Sequence, residues 1–260
     1  MKLSKITRRS IPQYTVMPDY QRPHPQTSVG IEIELEGLRP YDIGFPFKRW
    51  KIVEDGSLRG GIELVSDPVW GSAIDDALEE ISQFFGEYNP IISERTSVHV
   101  HVNILDMETE ELIRFVNNYI MYEPALFRMH RNWDRENNIF CVPCYKSSEI
   151  QKSYSRLLYH LKRETLGNDY LPYKYAAMNP NSLYNLGTLE FRHMGGTKDV
   201  NQINQWINVL LQLKVSALLE ADVNNLKDVF GEFSDLIDFK EEDLNNYQTV
   251  KDFFYLLEGE

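Results

Sequence analysis

Three separated segments of this chain carry charged residues two positions apart, and no other feature constrains its fold as tightly. Glu32 and Glu34 alternate with Ile31, Ile33 and Leu35; His99 and His101 alternate with Val98, Val100 and Val102; Glu190 and Arg192 flank Phe191. Successive side chains of a strand point to opposite faces. Each pair therefore shares one face, while the aliphatic residues take the other. A half-exposed antiparallel sheet also alternates polar and apolar residues. Its wet face, however, usually mixes lysine and threonine with glutamate, and these segments place no lysine on the charged face. Carboxylates, imidazoles and a guanidinium cluster only when something pairs with them. Divalent metal together with a phosphorylated ligand suits this mixture.

Composition narrows the class. The chain has 260 residues, enough for one large domain or two small ones with a self-sufficient core. It shows neither an apolar run of about 20 residues nor a basic-then-apolar opening, which predicts a cytoplasmic protein without a membrane span. The net charge of −12 argues against nucleic acid as a partner. Part of that charge would belong to the site itself, and the rest to an acidic stretch from Glu232 to Glu260 that reads as a solvated helical surface. The basic, proline-rich residues 1–26, with Lys2, Lys5, Arg8 and Arg9, read as an irregular arm. Cys141 and Cys144 have the spacing of half a zinc site or a redox pair, but no second pair accompanies them; their apolar neighbours suit a strand end or turn.

Alternation and β-branched content predict strands over 28–36, 49–54, 61–66, 96–105 and 186–193, with a further short one over 173–178. Helical spacing predicts helices over 73–85, 108–131, 148–165 and 201–221, so the fold class is α+β. Asp106 is the expected N-cap of the second helix, whose Leu112, Phe115, Val116, Tyr119 and Ile120 form a core stripe. Asp199 is expected to cap the helix after Gly195-Gly196-Thr197. Asp55-Gly56-Ser57 and Gly60-Gly61 are turn chemistry that lets backbone approach a ligand, and Glu63 follows at the next strand. His24, His130, His160 and His193 lack partners at useful spacing; His193 should face away from Arg192.

In chain order, then, come Glu-x-Glu, Asp-Gly-Ser with a downstream Glu, His-x-His, and Gly-Thr-x-Glu-x-Arg. This series resembles the carboxylate–amine ligases of the glutamine synthetase and glutamate–cysteine ligase superfamily, and within it the amidoligase family found in bacteria and phages. The resemblance runs over residues 28–197 and includes the Arg131-to-Cys141 segment. It implies a curved antiparallel β-sheet forming a funnel-shaped active site backed by helices, as in the catalytic domain of glutamine synthetase. On this reading residues 27–225 form the catalytic domain and 226–260 its acidic helical extension.

The implied cofactors are ATP and Mg2+ or Mn2+. The implied reaction joins a small-molecule or peptide carboxylate to an amine through an acyl phosphate. By resemblance, Glu32 and Glu190 with His99 hold one metal at the γ-phosphate, and Glu34 and Glu63 hold a second. Hard divalent cations take such carboxylates, and Mn2+ tolerates an imidazole. Arg192 would bind phosphate, and His101 would contact substrate or support the site; spacing leaves open which histidine ligates. Arg131 or Arg135 would hold the acceptor carboxylate or nucleotide, or else pair with Asp134 and Glu136 at the surface. Lys174 and Asn179 would line the nucleotide end. Acceptor choice falls to loops 40–48 and 136–146, whose Tyr41, Phe45, Phe47, Phe140 and Tyr145 either shape a pocket or pack the loops down. Oligomeric state stays open. The alternatives are a phosphotransferase on the same fold, a metal-dependent hydrolase, and a non-catalytic metal- or nucleotide-binding module.

Overall fold

The alternating segments pair as their spacing requires. In the computed structural model, which describes residues 28–130, 132–163, 173–245 and 247–248, the strands are β1 (Val29–Glu36), β2 (Trp50–Glu54), β3 (Gly61–Ser66), β4 (Ser97–Asn103), β5 (Met178–Asn179) and β6 (Thr188–Gly195). They form one antiparallel sheet in the order β2–β3–β1–β4–β6–β5. Register sets like against like across the core face: Ile33 lies opposite Leu64 and Val98, Ile31 opposite Val100, and Val100 opposite Phe191. All of these are fully buried, and each such side chain contributes about 1.5–3 kcal/mol by leaving water.

Helices α1 (Ser72–Tyr88), α2 (Thr109–Met129), α3 (Ser148–Lys162) and α5 (Val200–Leu218) back that face. The expected stripe of α2 is core: Phe115 and Tyr119 set their rings 5.9 and 5.6 Å from Phe191. No described helix is long and apolar enough to cross a membrane. Asp199 caps α5 as expected, accepting from the backbone of Asn201 and Gln202.

Several local expectations are corrected. Asp106 does not cap α2. The helix opens on a capping box in which Glu108 and Glu111 satisfy each other's backbone N–H groups. Asp106 instead takes the ammonium of the buried Lys214, at 2.7 and 2.8 Å. Its true partner is distant in sequence, so local capping rules could not reveal it. The last strand starts later than expected because residues Ser182–Leu186 wind into α4, which Gly187 closes at φ 70°. A Cβ at Gly187 would also lie 2.5 Å from Leu105, so both conformation and space require glycine there. The strand expected over 173–178 shrinks to Met178–Asn179.

Cys141 and Cys144 are free and buried, and neither joins a metal-binding group among the described residues. Burial pushes the Cys141 thiol up to about 12 and Cys144 well above its usual range. The acidic stretch is only partly a solvated surface. Within it Ile237 and Asp243 are buried, and Asp243 pairs with Arg128.

Lys214 is wholly buried, so Asp106→Ala would leave an ammonium without its counter-charge. Urea unfolding of that variant is expected to show a loss of about 3–5 kcal/mol. Lys214→Met, which leaves only the partly exposed Asp106 unpaired, should cost less.

Candidate metal centre

Strand pairing gathers the charged residues into one patch. Glu34 sits directly opposite Glu63, Glu32 opposite His99, His101 opposite Glu190, and Glu190 opposite Asn179. Directly opposed Cβ atoms lie about 4.5–5.5 Å apart, so side chains from five strands meet above the sheet. Ligand atoms fall into three sets, each within 4.8 Å: Glu32, His101 and Glu190; Glu32, Glu63 and His99; and Glu34, Asp55 and Glu63. The five expected metal ligands, Glu32, Glu34, Glu63, His99 and Glu190, therefore converge.

Neighbouring polar groups hold them in place. Asn179 donates to Glu190 Oε2 at 2.7 Å, and Arg192 Nη1 binds the other carboxylate oxygen. Arg192 Nε donates to the Phe140 carbonyl at 3.0 Å. The Ser97 hydroxyl donates to Glu34 at 2.5 Å and lies 2.8 Å from His99 Nε2. With its proton committed to Glu34, the Ser97 hydroxyl has its oxygen free to accept from His99 Nε2. On its other side His99 Nδ1 lies 3.3 Å from Glu32 and 3.7 Å from Glu190. His101 is held by Thr188 at 3.1 Å through Nδ1. Its buried Nε2 lies 3.1 Å from Glu32 Oε1, yet the approach misses hydrogen-bond alignment.

The electrostatics agree. Burial and then the charges of Glu32, Glu34, Asp55 and Glu190 push Glu63 up to about 8. Burial also opposes the charge of Glu32, but His101 and His99 outweigh it and hold Glu32 well below the usual carboxylate range. Burial would lower His101; Glu32 and Glu190 outweigh that and raise it. Carboxylate oxygens with one or two imidazoles form the donor set of Mg2+ or, better, Mn2+. The residues fit such ions.

The structure also adds to the expected set. Asp55 joins Glu34 and Glu63; its carboxylate also accepts from the Ser57 backbone at 2.8 Å, the ordinary role of aspartate in such a turn, which hid the other one. Glu36 shares the face of Glu32 and Glu34 but turns to the backbone of Arg59 at 3.0 Å and to Arg95 at 3.7 Å. The charged face does carry a lysine: Lys51, on edge strand β2, lies opposite Val65, itself opposite Glu32. It pairs with Asp67 at 3.0 Å.

Other candidates sit elsewhere. Arg135 follows neither expectation: it is buried, and its Nη2 donates to the Arg192 carbonyl at 2.9 Å. Asp134 binds Asn137, and Glu136 binds Lys146 and Tyr145. Arg131 lies outside the described residues. Lys174 is exposed and lays its ammonium 4.7 Å from the Tyr175 ring centre. Phe45 and Phe47 pack their loop onto Phe84, at 5.6 and 5.1 Å, whereas Phe140 stays half-exposed beside Arg192. A cavity of about 270 Å3 adjoins Glu32 and His101, with Gly30, Lys51, Asp67 and Thr188 among its walls.

Against known proteins, residues 46–214 match the family described as "Putative amidoligase enzyme". The chain belongs to this amidoligase family. The matched segment contains Asp55, Glu63, both histidines, Glu190 and Arg192; Glu32 and Glu34 precede it. No curated protein matches the chain. Among solved structures, a bifunctional glutathione synthetase from Pasteurella multocida is similar at 12% identity and a TM-score of 0.44. The similarity covers 87% of this chain and 40% of that one, so the chain spans well under half of that protein's length.

The raised Glu63 predicts a pH dependence. Between its ordinary 4.5 and about 8 the folded chain keeps a proton that the unfolded chain releases. Stability of the metal-free protein should therefore fall as pH rises through that window. The raised His101 acts in the same sense above its ordinary 6.5. The thermal midpoint of metal-free protein should drop over this range, by about 2–4 °C for each kcal/mol lost. Glu63→Gln should flatten the profile, and Mn2+ should reverse it by displacing the proton.

Proposed function

We propose that this protein is an ATP- and Mg2+-dependent carboxylate–amine ligase, with the charged face as the floor of a funnel-shaped site like that of glutamine synthetase. The observation that carries this reading is the convergence of five carboxylates and two imidazoles on one sheet face, with Arg192 bonded to the innermost of them, Glu190. In the reaction, the γ-phosphoryl group passes from ATP to an oxygen of the carboxylate substrate, releasing ADP. The amine nitrogen then bonds to the acyl carbon, the bond to phosphate oxygen breaks, and the amine gives up a proton.

Each residue has a role in that sequence. Glu32, His99 and Glu190 would hold one cation, and Glu34, Asp55 and Glu63 a second, with His101 available to the first. Mg2+ or Mn2+ bound there would offset the charge of the nucleotide and of the transferring phosphoryl group. Arg192 keeps guanidinium N–H groups beyond its bonds to Glu190 and Phe140 for a phosphate oxygen. Asn179, Ser97 and Thr188 hold Glu190, Glu34 and His101 in orientation, and so limit reorganisation when phosphate arrives. Family membership supports the reading.

Titration calorimetry with a non-hydrolysable ATP analogue should show binding in Mg2+ that EDTA abolishes. Glu32→Gln and Glu190→Gln should abolish Mg2+-dependent nucleotide turnover with the fold intact. Arg192→Ala should lower turnover by about 10²–10³-fold, as for loss of one positioned donor to developing charge. Wild-type turnover in either glutamine variant would overturn the role assignments.

A further inference from the structure

Strand β1 turns alternate residues to the charged face, and Glu32, Glu34 and Glu36 all lie there. The same face carries glycine at position 30, directly opposite His101. Nothing in the backbone demands it. A Cβ at Gly30 would lie 3.6 Å from His101 Cβ, an ordinary contact, and its φ is outside the left-handed range. What the glycine provides is room: the cavity of about 270 Å3 opens beside it.

Size and charge limit what fits. Ligand sites for drug-sized molecules run to about 300–1,000 Å3, so this cavity suits a smaller molecule than a nucleotide. Its charged lining comprises the largely buried Glu32 and, at exposed positions, Lys51 and Asp67. Lys51 is the one lysine or arginine among the lining residues, and its side chain is 76% exposed, tethered to Asp67 at 3.0 Å. It can swing to a second carboxylate without loss of burial. Val65 and Leu186 supply part of its apolar wall.

We infer that this cavity binds the amine substrate as a free amino acid, amine inward beside Glu32 and carboxylate outward on Lys51, with Gly30 setting the size of its side chain. The inference rests on the ligase reading for the word substrate, but the pocket itself is testable alone. Saturation-transfer NMR with the standard free L-amino acids, in Mg2+ and a non-hydrolysable ATP analogue, should find one or a few that bind. Their N-acetyl derivatives and amides should not. Lys51→Ala should weaken binding at least tenfold. Gly30→Val should abolish it, and Gly30→Ala, which adds a contact of ordinary length, should weaken it while keeping the thermal midpoint. If no amino acid binds the wild type, or if Gly30→Val binds as well as wild type, the inference is overturned. If the nucleotide binds in those experiments the ligase reading survives that failure. If amino acids bind but nucleotide never does, the pocket stands and the ligase reading falls.

Discussion

Like-charge crowding on one sheet face is the constraint around which this protein is organised. Glu34 and Glu63 stand directly opposite each other on neighbouring strands, an arrangement that opposes strand pairing. The pairing must then be secured from the other side. There, Ile31, Ile33, Leu64, Val98, Val100 and Phe191 form an unbroken apolar layer under the helices. The polar face is in turn divided into separate couplings. Asn179 and Arg192 take the two oxygens of Glu190, Ser97 takes one of Glu34, and Glu36 is drawn aside by Arg59 and Arg95. Burial and the carboxylates around it hold a proton on Glu63. A divalent cation is the simplest way to complete such a set.

The back of the sheet is tied to the front at β6. His193, on the core side, contacts the Tyr119 hydroxyl at 3.1 Å, and Tyr119 in turn binds the wholly buried Glu123. Burial, against the bonds from Cys144, Tyr119 and Tyr145, pushes Glu123 up to about 7. Arg135 reaches the carbonyl of Arg192 from the same side. The strand that presents Glu190 and Arg192 is thus gripped by polar contacts from behind as well as by its ladder. Such a grip fixes side-chain direction more narrowly than apolar packing does.

Much of this was legible in the residue pattern. Period-two spacing alone decides which side chains share a face, so the pairs Glu32/Glu34, His99/His101 and Glu190/Arg192 could be read together before any pairing was known. Strand order could not be read this way, because β1 pairs with β4 across a long intervening stretch and the aliphatic patterns of the strands are interchangeable. Asp55 was hidden by the commonness of Asp-Gly-Ser turns. Lys51 was missed because its edge strand does not repeat charge at two-residue spacing. Asp106 and Arg135 were misjudged for one shared reason: their neighbours in sequence suggest a cap and a surface pair, while their partners, Lys214 and the Arg192 carbonyl, come from far along the chain.

Strand β6 contains one more residue than its partner between two matched positions: Val100 lies opposite Phe191, but Val98 lies opposite Met194. This bulge lets Glu190 and Arg192 face the charges while both His193 and Met194 stay buried. Its consequence concerns length rather than chemistry. Replacing a side chain in β6 alters one contact, but removing or adding a residue there would exchange the two faces for everything on one side of the change. Natural variation in this strand should therefore run to altered residues at constant length, with insertions confined to the turns that precede and follow it.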